Sequence, residues 1–266
     1  MKLLTMKFLG ALAVVAALTA CGTAPQKAGY SSADGAPKSV LWVGNSFFYY
    51  NNSMHGHVGN LLNAAKVTGI RQTSATISGS GINWHDVSAH FKPGGVGSYS
   101  FLPGNVVKFN TFDRPFDAVI MMDCSQCPIH PQLQSVFYEY AKKHSATVRS
   151  YGAEPVLFSS WAYQDMPEMT QQLQTEYVKA GKANNAQVIP AGLAFANSIK
   201  IKPELNLYVE DKRHPSLAGT YLAANVVLAS LFKQNPVGNT YTAGLPAETA
   251  KHLQQVAWDT VQGFKD

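Results

Sequence analysis

Residues 39–50 read SVLWVGNSFFYY, and the break inside this run sets the fold. Residues 40–43 are apolar without alternation, the pattern of a strand covered on both faces, and Gly44-Asn45-Ser46 turns the chain out of it. Ser46 then stands at the carboxyl end of a parallel strand. In open α/β sheets that end faces the ligand crevice, and a helix expected over residues 55–67 starts nearby with free backbone N–H groups. Ser46 is therefore a candidate nucleophile.

Working outward, Val58, Leu61, Leu62 and Ala65 recur at spacings of three and four, which gives that first helix one buried face. Residues 70–78 read as a second strand, closed by Gly79-Ser80-Gly81, and Trp84, His85 and Asp86 open a short helix. Residues 91–113, rich in glycine and proline, read as a long loop or irregular hairpin, a candidate lid or substrate wall. Further strands are expected at 116–122, 156–160 and 187–190. Further helices are expected at about 131–151, 166–184, 192–199, from Pro215 to Leu231, and 247–264. In the helix after Pro215, Leu217, Tyr221, Leu222, Val226, Leu228 and Leu231 are expected to face the core. Strands alternating with helices of this length predict an α/β fold: a three-layer α/β/α sandwich around a mostly parallel five-stranded sheet, in one domain over residues 39–266.

The chain has 266 residues, of which 46% are hydrophobic and 14% charged, enough apolar surface for a sizeable core. Its net charge of +5 is scattered rather than gathered in a patch, which gives no support to nucleic-acid binding. At the N-terminus Lys2 and Lys7 accompany an apolar segment, residues 8–17, ending in Leu18-Thr19-Ala20-Cys21. That is the layout of a secretory leader, and about a dozen apolar residues fall short of the roughly 20 that span a bilayer. Leu-Thr-Ala-Cys resembles the bacterial lipobox. The resemblance implies a signal peptide over residues 1–20, lipidation at Cys21, a tether over 21–38 and a lipid-anchored protein of the bacterial envelope. Gly22 after the cysteine implies the outer membrane in a Gram-negative cell.

A second chemical stretch is Asp211-Lys212-Arg213-His214-Pro215. Pro215 holds His214 extended at the start of a helix, and Asp211 is close enough to orient one imidazole nitrogen while the other reaches Ser46. Taken in order, Gly44-Asn45-Ser46, a glycine at Gly81 (or Gly79), and Asp211-Lys212-Arg213-His214 resemble the blocks of the SGNH (GDSL-type) hydrolases, a family of esterases, lipases and carbohydrate deacetylases. The resemblance implies Ser46 as nucleophile, His214 as base, Asp211 as its orienting acid, and an oxyanion hole made of the Ser46 N–H, the Gly81 N–H and a third-block amide. Two departures stand out. Asn45 replaces the family's aspartate, and Cys124-Ser125-Gln126-Cys127 stands where Gly-x-Asn-Asp is usual, which makes Gln126 the candidate third donor, with Asp123 or Ser125 as alternatives.

Cys124 and Cys127 also fit a disulfide, a C-x-x-C thiol redox site, or, with His130, a zinc site that lacks a fourth ligand; a disulfide or two buried thiols rank first. His55 and His57 lack a third ligand and read as surface or capping residues. Trp161 and Tyr163, after the fourth strand, are candidates to line a substrate cleft, as Phe47, Phe48 and Trp84 are less strongly. The expectation is a cofactor-independent serine esterase acting through an acyl-serine intermediate on an ester, with an acetylated envelope or extracellular glycan as the candidate substrate. The rivals are a non-catalytic glycan-binding protein on the same fold and a redox protein.

Overall fold

A computed structural model of the chain describes residues 35–112 and 114–265. The expected leader, Cys21 and most of the tether lie outside the described residues.

Five parallel strands form the central sheet: β1 (Ser39–Gly44), β2 (Arg71–Thr76), β5 (Ala118–Met121), β6 (Glu154–Phe158) and β7 (Gln187–Ile189), in the order β2-β1-β5-β6-β7. The strand from residue 39 is central and buried along its whole length, as its unbroken apolar run requires. Its neighbour β2 is an edge strand, half-exposed at every residue and correspondingly polar.

Alternate residues of the strands feed two cores. Trp42, Ile120 and Phe158 pack with helices α2 (Met54–Ala64), α5 (Ala191–Ile201), α6 (Leu217–Leu231) and α7 (Ala247–Gly263). Leu41, Val43, Met121 and Leu157 pack on the other face with α3 (Gln134–Ser150) and α4 (Met169–Asn184). The result is the expected three-layer arrangement, with three adjustments.

First, the sheet is wholly parallel, and the glycine-rich segment forms a separate antiparallel hairpin, β3 (Tyr99–Leu102) and β4 (Val106–Phe109). Second, α6 is not one-faced. Every residue from Ala218 to Leu231 is buried because α7 covers the side turned away from the sheet, and Leu217 is the half-exposed exception. A helix apolar all round is one enclosed all round. Third, α3 starts at Gln134, a turn later than expected, with residues 131–133 in a turn ahead of it. No helix among the described residues is long and apolar enough to cross a membrane.

Candidate active site

The turn after β1 has a physical reason for each residue. At Gly44 a side chain would lie 2.7 Å from the Phe48 ring, so only glycine lets α1 (Ser46–Tyr49) fold back over the strand. Asn45 caps α1, its Oδ1 accepting from the Phe47 N–H at 3.2 Å. Its Nδ2 donates to the carbonyls of Ser80 (3.0 Å) and Asp123 (3.2 Å), tying the loops after β2 and β5 to the turn. An ionised aspartate has no proton to donate and would make neither bond. Asn45 is thus matched to this chain's surroundings.

Ser46 is the first residue of α1 and is 8% exposed. Its Oγ lies 2.8 Å from His214 Nε2, and His214 Nδ1 lies 2.5 Å from Asp211 Oδ2. The other Asp211 oxygen accepts from the backbone N–H of Arg213 (2.8 Å) and of His214 (2.9 Å). Partial burial pushes the Asp211 pKa up, but the His214 ring and these two N–H groups outweigh it and hold the carboxyl below its ordinary value. The acid is therefore ionised at neutral pH and orients the imidazole that faces Ser46.

The loop that carries the pair is held at many points. Tyr208 and Pro215 form an isolated antiparallel bridge, and Val209 N–H donates to the His214 carbonyl at 3.0 Å. Trp161 Nε1 donates to the Arg213 carbonyl (3.0 Å), Gln164 N–H to the Lys212 carbonyl (3.0 Å), and Asn51 Nδ2 to the Pro215 carbonyl (2.9 Å). Tyr50 stacks on the His214 ring with centroids 4.2 Å apart, and Phe47 meets it edge-on at 5.3 Å.

Tyr50 and Asn51 escaped the sequence reading. A signal existed in Asn51-Asn52-Ser53, three consecutive residues with positive φ. Asparagine tolerates that region, and an Asn-Asn-Ser run directly after an apolar stretch marks such a turn.

Two backbone donors face no partner. Among the described residues, neither the Ser46 N–H nor the Gly81 N–H makes a hydrogen bond, and the Ser80 carbonyl held by Asn45 keeps Gly81 beside the Gly44-Asn45-Ser46 turn. The side-chain amide of Gln126, the other candidate donor, has Met169 Sδ at 3.9 Å as its polar contact among the described residues. Its neighbour Ser125 is bonded to the Tyr163 hydroxyl at 2.6 Å.

Asp123, the last residue before the disulfide loop, is a buried carboxylate. It is 2% exposed, and its Oδ1 accepts from Ile82 N–H (2.8 Å) and Cys124 N–H (2.7 Å), clamping the Gly81 loop to the third-block loop. Burial pushes its pKa up to about 6, against the lowering effect of those two N–H groups.

Cys124 and Cys127 are joined in a disulfide, with Cα atoms 5.2 Å apart. Both sulfurs are consumed by that bond, so the grouping of Asp123, Cys124 and Cys127 offers no thiolate to a metal. His57 is engaged with the Asn51 carbonyl (2.6 Å) and the Tyr241 hydroxyl (2.8 Å), as a packing residue rather than a ligand.

Of the aromatic candidates, Trp161 is fully buried, stacked between Phe47 (4.8 Å) and Phe195 (4.3 Å). It backs the His214 loop and does not line a cleft. Phe47 and Phe48 are likewise buried, and Trp84 is exposed. Tyr163 is half-buried at the rim, under the Arg213 guanidinium (4.0 Å), which in turn pairs with Asp165. Tyr163 also lines an apolar cleft of about 340 Å³ together with Phe195, Ile199, Leu205 and Tyr208, a lining that includes none of Ser46, Asp211 and His214.

No family model matches the chain, and no curated protein matches it in sequence. Solved structures do match in shape. A DUF4886 family protein from Bacteroides uniformis superposes with a TM-score of 0.57 at 18% identity, over 85% of this chain and 95% of that one. A protein from Slackia heliotrinireducens classed as an SGNH hydrolase gives 0.54 at 20% identity, over 72% and 97%. An acetyl xylan esterase from Geobacillus stearothermophilus gives 0.52 at 16% identity, over 73% and 94%. The chain has the SGNH-hydrolase fold.

Proposed function

We propose that this protein is a serine esterase of the SGNH type, acting through an acyl-Ser46 intermediate. The observation that carries this reading is the unbroken chain from Ser46 Oγ to His214 Nε2 (2.8 Å) and from His214 Nδ1 to Asp211 (2.5 Å), drawn from two loops 168 residues apart. His214 takes the Ser46 proton as Oγ attacks the ester carbonyl, and Asp211 steadies the imidazolium. The Ser46 and Gly81 N–H groups receive the oxyanion. Collapse expels the alcohol, protonated by His214, and a water activated by the same imidazole then releases the acid and frees Ser46.

The substrate class follows from two supports of different kind. One structural neighbour is an acetyl xylan esterase, and the leader with Leu18-Thr19-Ala20-Cys21 supports an address in the bacterial envelope. An acetylated extracellular or envelope glycan is the substrate that meets both.

Purified protein is expected to hydrolyse p-nitrophenyl acetate, and Ser46→Ala to lose that activity to background. Hydrolysis that survives in Ser46→Ala removes Ser46 from the chemistry. A wild type without esterase activity that binds envelope glycan returns the protein to the non-catalytic reading.

A further inference from the structure

We propose that the β3–β4 hairpin docks on a lipid bilayer surface and works with the anchor at Cys21 to hold the Ser46 site facing away from the membrane. The inference rests on reading Cys21 as an anchor, and it stands on the geometry of the opposite end of the sheet.

The hairpin register pairs Tyr99 with Phe109 and Phe101 with Val107, so these four side chains share one face. That face is open: Phe101 is 76% exposed, Phe109 77%, Tyr99 54% and Val107 45%. Leu102 and Val106, next to the tip, are exposed as well. A two-stranded hairpin on its own is marginal in water, and a ribbon with an uncovered aromatic face calls for an apolar surface to lie against.

The position of the hairpin root says what that surface is. Asn110 closes the root with its N–H on the Ser98 carbonyl (2.7 Å) and its Nδ2 on the Gly97 carbonyl (2.9 Å). The Phe112 ring lies 3.9 Å from the Arg71 guanidinium carbon, and Arg71 donates to Ser39 Oγ (2.6 Å) and to the Pro115 carbonyl. Lys38 N–H and Ser39 N–H both donate to Asp117 (2.9 and 3.1 Å).

The hairpin root and the point where the chain enters β1 therefore converge on the amino ends of the strands. Ser46 stands at the carboxyl ends. Only fourteen residue steps separate Cys21 from Gly35, a reach of at most about 50 Å. A lipid at Cys21 thus brings this end of the domain close to the bilayer. Charge does not oppose the contact: the hairpin and its root, residues 97–112, carry Lys108 and no aspartate or glutamate.

The consequence for function is direct. Substrate is taken from the side away from the supporting membrane, as a soluble or wall-bound glycan ester would be, and not from the lipids of that membrane.

The test uses the whole purified chain, its Cys21 state read by mass spectrometry, on vesicles of phosphatidylethanolamine and phosphatidylglycerol with brominated acyl chains. In Phe101→Trp the added indole is expected to lose most of its emission to bromine, beyond any loss seen for the native tryptophans. An unquenched indole overturns the proposal, as does a blue-shifted, unquenched one accompanied by a doubled mass in light scattering, which assigns the face to a second copy. Quenching in a chain from a lipidating host whose Cys21 carries no lipid overturns the proposal as stated, because the anchor it rests on is then absent. The double variant Phe101→Ser, Phe109→Ser is expected to lower vesicle partitioning of the unlipidated chain by about tenfold or more. Its p-nitrophenyl acetate hydrolysis should be unchanged, which separates the fate of this surface from that of the esterase reading.

Discussion

Asp211 holds the centre of the site with both oxygens engaged, one by the His214 ring and one by two backbone N–H groups. Asp211→Asn keeps the shape but removes the charge that stabilises the imidazolium and selects its tautomer. It is expected to lower kcat for p-nitrophenyl acetate by about 10³-fold or more with KM nearly unchanged; a loss below about tenfold would take Asp211 out of the mechanism. Ser46, Asp211 and His214 were legible because each sits in a short motif. Tyr50, Asn51 and Trp161 were not, because they act on His214 across long sequence separations: Asn51 grips a carbonyl 164 residues away. Gln126 illustrates the converse. Its place in the block pattern marks it as a candidate donor, and what its side-chain amide touches, Met169 Sδ at 3.9 Å, is visible only in the fold.

Among the elements, α6 carries the structural burden of the site, because the His214 loop runs straight into it. Gly219 is the close point: a side chain there would lie 2.3 Å from the Leu207 carbonyl and 2.9 Å from the Phe195 ring. Gly219→Ala is expected to cost about 1–3 kcal/mol of stability, read as a fall in the urea midpoint, because enclosed α6 cannot shift to relieve the overlap. Gly59→Ala in α2, where a new side chain meets nothing within 4 Å, is the contrast, and should be neutral or stabilising by about 0.5–1 kcal/mol. Equal effects at both sites would show that α6 is loosely held. The existence and order of these elements were readable from periodicity. The all-round burial of α6 and the pairing within the 91–113 segment were not, since both depend on what another part of the chain covers.

Across the whole molecule, two buried groups give opposite pH responses. Burial, with the charges of His90 and His144, lowers the His85 pKa from 6.5 to about 4. The unfolded chain therefore binds the proton first, and this contribution to stability falls as pH drops from 6.5 through about 4. Burial raises Asp123 from 3.8 to about 6, so the folded state holds its proton longer, and that contribution falls as pH rises through the same range. The two slopes oppose one another between about pH 4 and about pH 6. Asp123→Asn removes one of them. It is expected to stabilise the protein at pH 8 by up to about 3 kcal/mol, with the gain vanishing near pH 4. Urea unfolding at the two pH values checks this, and a gain of the same size at both would sink it.

By itself the sequence determined the alternation of strands and helices, the turn that ends β1 in Ser46, and the D-x-x-H pair, because each is written in residues adjacent in the chain. Tertiary structure alone decided which groups meet. It put the Ser46 hydroxyl on an imidazole 168 residues away, turned the Gln126 amide onto Met169, sank Trp161 behind the His214 loop, and left the aromatic face of the β3–β4 hairpin uncovered. The physical reason is that periodicity and turn chemistry are local properties of the chain, whereas burial and hydrogen-bond partnership belong to the packed whole.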